Sequence, residues 1–213
     1  MSYSAAYYDK LNRLTDAVDV GTSGASSYTR PGSVPSRSDT VLVSSVEYDA
    51  AGRQWKTTDP CGLESRTTYD LLGRTIKTVE NYADGTVRDL DDKTTEYIYS
   101  AAGMTSLTAK LTGGGQTTEW IYGVGSSRNL YSNDIVGATK WPDPSTGASS
   151  SGQQETVTVN ALEQVLTSTD RNDSVHTVGY DVLGRVVSDA VTTLGSGGGR
   201  RRAAARDGLR FAG

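Results

Sequence analysis

The 213-residue sequence holds one His and one Cys, His176 and Cys61. Most enzyme chemistry would have to pass through them. A Ser-His-Asp triad would need His176 as its base, but His176 falls within Ser174-Val175-His176-Thr177-Val178, a run of strand character. One His and one Cys cannot build a Cys/His zinc site, and Cys61 has no partner for an internal disulfide. Asp89, Asp91 and Asp92 offer the oxygen ligands that calcium takes, yet their spacing fits no calcium loop. Gly113-Gly114-Gly115 lacks the phosphate-loop and dinucleotide patterns and reads as a flexible turn. Asn172-Asp173-Ser174 is a formal glycosylation acceptor. With no nucleophile–base pair in sight, the residues point to no catalytic site, no cofactor and no metal site.

The composition describes the elements that hold these residues. Only 35% is hydrophobic, with 24 Gly, 12 Tyr and a single Phe. That profile suits many short strands joined by turns better than a helical core. A net charge of −4 gives no electrostatic reason to expect nucleic acid. No apolar run reaches the roughly 18 residues of a membrane-spanning helix, and Met1 to Leu14 shows no apolar segment of a signal peptide.

The turns carry the strongest signal. Three segments share one pattern: Tyr48-Asp49-Ala50-Ala51-Gly52-Arg53, Tyr69-Asp70-Leu71-Leu72-Gly73-Arg74 and Tyr180-Asp181-Val182-Leu183-Gly184-Arg185. Asp suits the first position of a type I turn, because its carboxylate bonds the backbone two residues on. Gly suits the position where the chain turns left-handed. Together they predict a hairpin loop with a bulge. Weaker copies begin at Tyr8, with Asn12 in the Gly position, at Tyr99, with Ser100 for Asp, and at Val159, where Glu163 is a poor substitute for Gly. A second turn lies between these. Asp59-Pro60-Cys61-Gly62 is again Asp-x-x-Gly, with Pro fixing φ, and Asp170-Arg171-Asn172-Asp173 holds the equivalent place. Both regions show spacings of 10 and then 11 residues between successive turns. That rhythm predicts strands of about six residues in a meander. Asp84-Gly85 is a further hairpin candidate.

The YDxxGR copies, the phased DPxG turn and the 21-residue step from Tyr48 to Tyr69 resemble Rhs/YD repeats. These occur in bacterial polymorphic toxins and the related teneurin shells. The likeness is strongest over residues 41–122 and 156–194. It implies an all-β fold of antiparallel β-hairpin repeats forming a curved, open sheet, a fragment of a YD-repeat β-shell. The residues that would carry it are structural: Tyr48, Asp49, Gly52, Arg53, Asp59, Pro60, Gly62, Tyr69, Asp70, Gly73, Arg74, Tyr180, Asp181, Gly184 and Arg185. The resemblance also implies encapsulation of a toxin or other cargo domain encoded in adjoining sequence, and a secreted or cell-surface setting. In toxin-bearing relatives a DPxGL stretch ends the shell core and its Asp takes part in self-cleavage. Here Asp59-Pro60-Cys61-Gly62-Leu63 runs straight into another YD hairpin, so a structural turn is the better reading.

Five regions follow. Residues 1–40 form a degenerate repeat and a Ser/Gly/Pro-rich loop. Hairpins occupy 41–122 and 156–194, with a loop or insertion at 123–155 around Trp141-Pro142-Asp143-Pro144. Residues 195–213 form a basic, Ala-rich tail expected to be disordered. The abrupt change of texture there is what a truncated or shifted reading frame would produce. An alternative function is a carbohydrate- or protein-binding adhesion module that uses the face bearing Trp55 and Trp120.

Overall fold

A computed structural model describes residues 2–22, 27–88, 91–111, 114–123, 132 and 134–195. Among these residues there are fourteen strands and no helix. The first seven are β1 Ser2–Tyr8, β2 Leu14–Thr22, β3 Leu42–Tyr48, β4 Gln54–Thr58, β5 Glu64–Tyr69, β6 Thr75–Tyr82 and β7 Lys93–Tyr99. The others are β8 Met104–Leu111, β9 Gly114–Tyr122, β10 Val136–Pro142, β11 Ser149–Val159, β12 Val165–Thr169, β13 Val175–Tyr180 and β14 Val186–Thr193. Every strand pairs antiparallel with its sequence neighbours, in the order β1 to β14, giving one curved, open sheet.

A meander of this kind sorts its turns. Connections from odd to even strands all lie along one margin, and those from even to odd strands along the other. The YDxxGR turns belong to the first margin and the Asp59 and Asp170 turns to the second. Both kinds close in the same way. In the turn at Asp49 the Gly52 N–H donates to the Asp49 carbonyl (2.9 Å) and the Asp49 N–H to the Arg53 carbonyl (2.8 Å). Equivalent pairs of bonds close the turns starting at Asp9, Asp59, Asp70, Asn160, Asp170 and Asp181. The fourth residue is left-handed in each, with φ of 83° at Gly52 and 76° at Gly184. Asn12, Glu163 and Asp173 adopt the same geometry, at 59°, 64° and 63°. Each first-margin turn is preceded by a register shift at the residue before it, as at Glu47/Tyr48, Thr68/Tyr69 and Thr158/Val159.

The structure departs from expectation in three places. The loop or insertion expected at 123–155 contains β10 and most of β11. Its Ser/Gly richness did not prevent strand formation, because β10 is paired on both sides, with β9 and with β11, and strand stability depends on such context. The chain turns between them at Asp143, whose carboxylate accepts the Ser145 N–H (2.9 Å). Asp84-Gly85 forms no tight hairpin. It sits within the connection from β6 to β7, whose pairing ends at Glu80 opposite Lys93. The Ser100 copy has a shorter turn, closed by Ser100 N–H to the Gly103 carbonyl (2.8 Å), and Gly103 has φ 150°. Apart from Gly195, the basic tail lies outside the described residues, as do Asp89 and Gly113.

Little apolar surface is buried. The described core residues are Tyr7, Val18, Val43, Val79, Tyr82 and Ala138. Tyr7, Val18 and Val43 form a cluster, and residues 28–37 fold back onto these first strands. The Tyr7 hydroxyl donates to the Pro31 carbonyl (3.0 Å), Arg30 donates to the Ala6 carbonyl (2.7 Å), and Arg37 donates to the Val43 carbonyl (3.0 Å). Large apolar side chains at the turn tips are instead fully exposed, Leu71 and Val182 among them.

Two substitutions separate these environments. Val43→Ala, at 2% exposure, should cost about 2 kcal/mol in urea unfolding. Leu71→Ala, at 105% exposure, should stay within about 0.5 kcal/mol of the parent.

Candidate functional site

The residues of YDxxGR do two jobs. The first is local. Asp49 Oδ1 accepts the N–H groups of Ala51 and Arg53, both at 2.9 Å, and its Oδ2 accepts Arg53 Nε at 2.8 Å. Asp9, Asp70 and Asp181 repeat this pattern on Arg13, Arg74 and Arg185. A single carboxylate thus fixes both the turn and the guanidinium that follows it.

The second job links hairpins. The Arg13 guanidinium lies 4.2 Å from the ring centre of Tyr48, Arg53 4.5 Å from Tyr69, and Arg74 4.5 Å from Tyr99. Each Arg therefore covers the Tyr of the next repeat. The Tyr hydroxyl answers by bonding the residue just after that Arg. Tyr48 donates to the Leu14 carbonyl (2.9 Å) and Tyr69 to the Gln54 carbonyl (2.6 Å). Arg53 also reaches the Asp70 carbonyl (3.2 Å) and Arg74 the Ser100 carbonyl (3.4 Å). A cation over an exposed ring contributes about 0.5–1 kcal/mol, and a neutral hydrogen bond about 1 kcal/mol. Each latch is modest, but it recurs along the margin. Arg185 is the last motif arginine described; its side chain is 74% exposed, against 34% for Arg53.

Gly has a second use here. A Cβ on Gly52 would stand 3.3 Å from the Arg13 guanidinium, so the missing side chain leaves room for the incoming arm.

The copy at Val159 forms the latch without charge. Asn160 Oδ1 accepts the Leu162 and Gln164 N–H groups (2.9 and 3.0 Å), and Asn160 Nδ2 donates to Gln164 Oε1 (2.8 Å). Gln164 then reaches the Gly184 carbonyl (2.9 Å), while Tyr180 donates to the Val165 carbonyl (2.9 Å).

The Arg13, Arg53 and Arg185 backbone N–H groups are the chief cause holding Asp9, Asp49 and Asp181 below the usual carboxylate value of 3.8. Partial burial pushes Asp70 up, but hydrogen bonds from Arg74 and Leu72 reverse this and leave it lowered.

Charge pairs also join neighbouring strands away from the YDxxGR turns. Lys56 lies between Glu47 and Glu64. Arg66 bonds Glu64 (2.8 Å) and stacks 3.7 Å from the Tyr82 ring centre. In the Asp59 turn the carboxylate accepts the Leu63 N–H (2.9 Å), Gly62 has φ 89°, and Cys61 is exposed. His176 Nδ1 lies 3.4 Å from Asp189 Oδ1, on an exposed stretch of β13 and β14. Asp92 is buried and accepts the Arg88 N–H (2.9 Å). Among the described residues no group of three His, Cys, Asp or Glu is placed to hold a metal.

Turn chemistry accounts for Asp and Gly but is silent on the contact of Arg with the Tyr of the neighbouring hairpin. The available signal was their fixed place on either side of the turn, which a lone turn does not require.

Two outcomes follow. Glu163→Gly should stabilise the chain by about 1 kcal/mol, because a side chain at positive φ is strained there. Lowered carboxyls contribute stability above the unfolded value of 3.8 that is lost as pH falls through their lower folded values. The thermal midpoint should therefore drop below about pH 4, and less steeply when Asp70→Asn with Arg74→Gln copies the Asn160–Gln164 pair.

No family model and no curated protein matches the sequence. Among solved structures, the chain is similar to the crystal structure of TcdB2-TccC3-Cdc42, with 16% identity and a TM-score of 0.50. The match covers 85% of this chain and 9% of that one. A Photorhabdus luminescens Tc holotoxin pore with a substituted TccC3 gives 13% identity and a TM-score of 0.32, over 89% of this chain and 12% of that one. This chain therefore spans about a tenth of their length. The first likeness shows the fold, an array of antiparallel strands.

Proposed function

We propose that the chain is wall material, a run of Rhs/YD-type hairpins that contributes to a β-shell around a toxin or other cargo. One observation carries this reading: the Asp–Arg–Tyr latch joins successive hairpins along one margin of an open sheet that buries little apolar surface. A latch of this kind stiffens a sheet without filling the space beside it. The fold shared with TcdB2-TccC3-Cdc42 supports the reading at the level of architecture. In this proposal the chain is not an enzyme, its partner is a cargo domain encoded in adjoining sequence, and its setting is secreted or at the cell surface. The carbohydrate-binding alternative draws no comparable support. The rings of Tyr48, Tyr69 and Tyr99 already carry guanidinium groups, and Trp55 has Lys56 against it.

The test is to purify the protein with the sequence encoded on both sides and treat it with protease before and after mild denaturation. A wall predicts a hollow particle by electron microscopy and a segment that is cleaved only after denaturation. A solid or extended particle, with every segment cleaved at one rate, would reject it.

A further inference from the structure

Each latch within the sheet receives the next tyrosine at two points. One is a guanidinium gripped by its own turn, which covers the ring. The other is the carbonyl of the residue after that Arg, which accepts the Tyr hydroxyl at Leu14 and at Gln54. The turn at Asp181 carries both points, and among the described residues no ring meets them. Asp181 holds Arg185 through Nε and a terminal nitrogen, each at 2.7 Å, and accepts the Leu183 and Arg185 N–H groups, each at 2.9 Å. Arg53 is held on Asp49 in the same way. Yet the side chains of Arg13, Arg53 and Arg74, which lie over rings, are 30%, 34% and 38% exposed, and that of Arg185 is 74% exposed. Val186, the residue after it, is exposed as well. The same turn already receives the preceding hairpin, through Gln164 on the Gly184 carbonyl (2.9 Å).

Resting on the reading of the chain as wall, we propose that Arg185 and the Val186 carbonyl form a docking site for the tyrosine of a further YD hairpin encoded after this segment. The joins inside the chain supply the geometry. The incoming ring lies under the guanidinium as Tyr48, Tyr69 and Tyr99 do, and its hydroxyl donates to the Val186 carbonyl as those of Tyr48 and Tyr69 do to Leu14 and Gln54. The strand that brings it pairs with β14 in the register this bond sets. Residues 195–213 contain no Tyr, so the ring comes from sequence beyond them. A guanidinium already fixed by its turn loses little freedom when the ring arrives, and its planar face suits stacking on an aromatic ring.

The test compares hydrogen exchange of the β14 amides in the 213-residue chain and in the longer protein that includes the sequence encoded after it. Arg185→Ala removes the bond to Asp181 in both, but removes a covered ring only in the longer protein. There it should speed exchange from Val186 to Val191 about fivefold more than in the shorter chain. In the longer protein, the Tyr before the first Asp-x-x-Gly turn encoded after Gly213, changed to Phe, should speed the same amides, and its effect should not add to that of Arg185→Ala. An equal effect of Arg185→Ala in the two proteins overturns the proposal. So does following sequence without a Tyr-Asp turn, or a 213-residue chain whose dimer is lost on Arg185→Ala, which gives the site to a second copy. Arg53→Ala tests the reading beneath, and should speed exchange in β4 and β5 of both proteins. Failure at Arg185 with an effect at Arg53 leaves the wall standing, whereas a neutral Arg53→Ala removes the observation that carries it.

Discussion

The contact on which the rest depends is an arginine held by its own turn and laid over the tyrosine of the next hairpin. An open sheet has a register problem. Strands rich in Ser and Thr, polar on both faces, gain little from one pairing over its neighbour. Here β5 reads Glu-Ser-Arg-Thr-Thr-Tyr and β12 reads Val-Leu-Thr-Ser-Thr, and neither strand has a hydrophobic face strong enough to choose its partner row. The choice is made at the margin. The turn sets the register inside a hairpin; between hairpins the Asp59 and Asp170 turns set it where they occur, and the tyrosine hydroxyl, bonded to the residue after the preceding arginine, reinforces it.

That division of labour explains what could be read from the sequence. The left-handed turn position is a property of one residue and its neighbours, so Gly52, Gly73, Gly184 and the substitute Asn12 were legible from type alone. Glu163 and Asp173 take the same conformation because the surrounding strands and turn bonds dictate it. Tyr and Arg act across hairpins, over 35 residues from Arg13 to Tyr48 and 16 from Arg53 to Tyr69, and no local pattern reveals such a contact. The strands within 123–155 were hidden for a related reason. Ser149-Ser150-Ser151-Gly152 reads as loop in isolation, and becomes strand as the start of β11, whose Ser149 pairs with Pro142 of β10. The Ser100 turn shows the reverse case, in which a familiar outline closes with a different hydrogen bond.

The uncharged copy shows which part of the latch is essential. Asn160 and Gln164 make the same turn bonds and the same reach to the next hairpin as Asp and Arg do elsewhere. The requirement is therefore a side chain that accepts from two backbone N–H groups while gripping a longer side chain that donates to the next hairpin. Ionisation is one way to meet it, and it adds a dependence on pH that the amide pair lacks. Tyrosine can also be absent from the turn itself, since Val159 stands before Asn160, while Tyr180 of the following hairpin still closes its bond to Val165. A latch that tolerates these exchanges lets the repeats diverge in sequence while the sheet keeps its register. On the proposed reading as a wall, each unit need only hold the next in line, and such tolerance is what that reading expects.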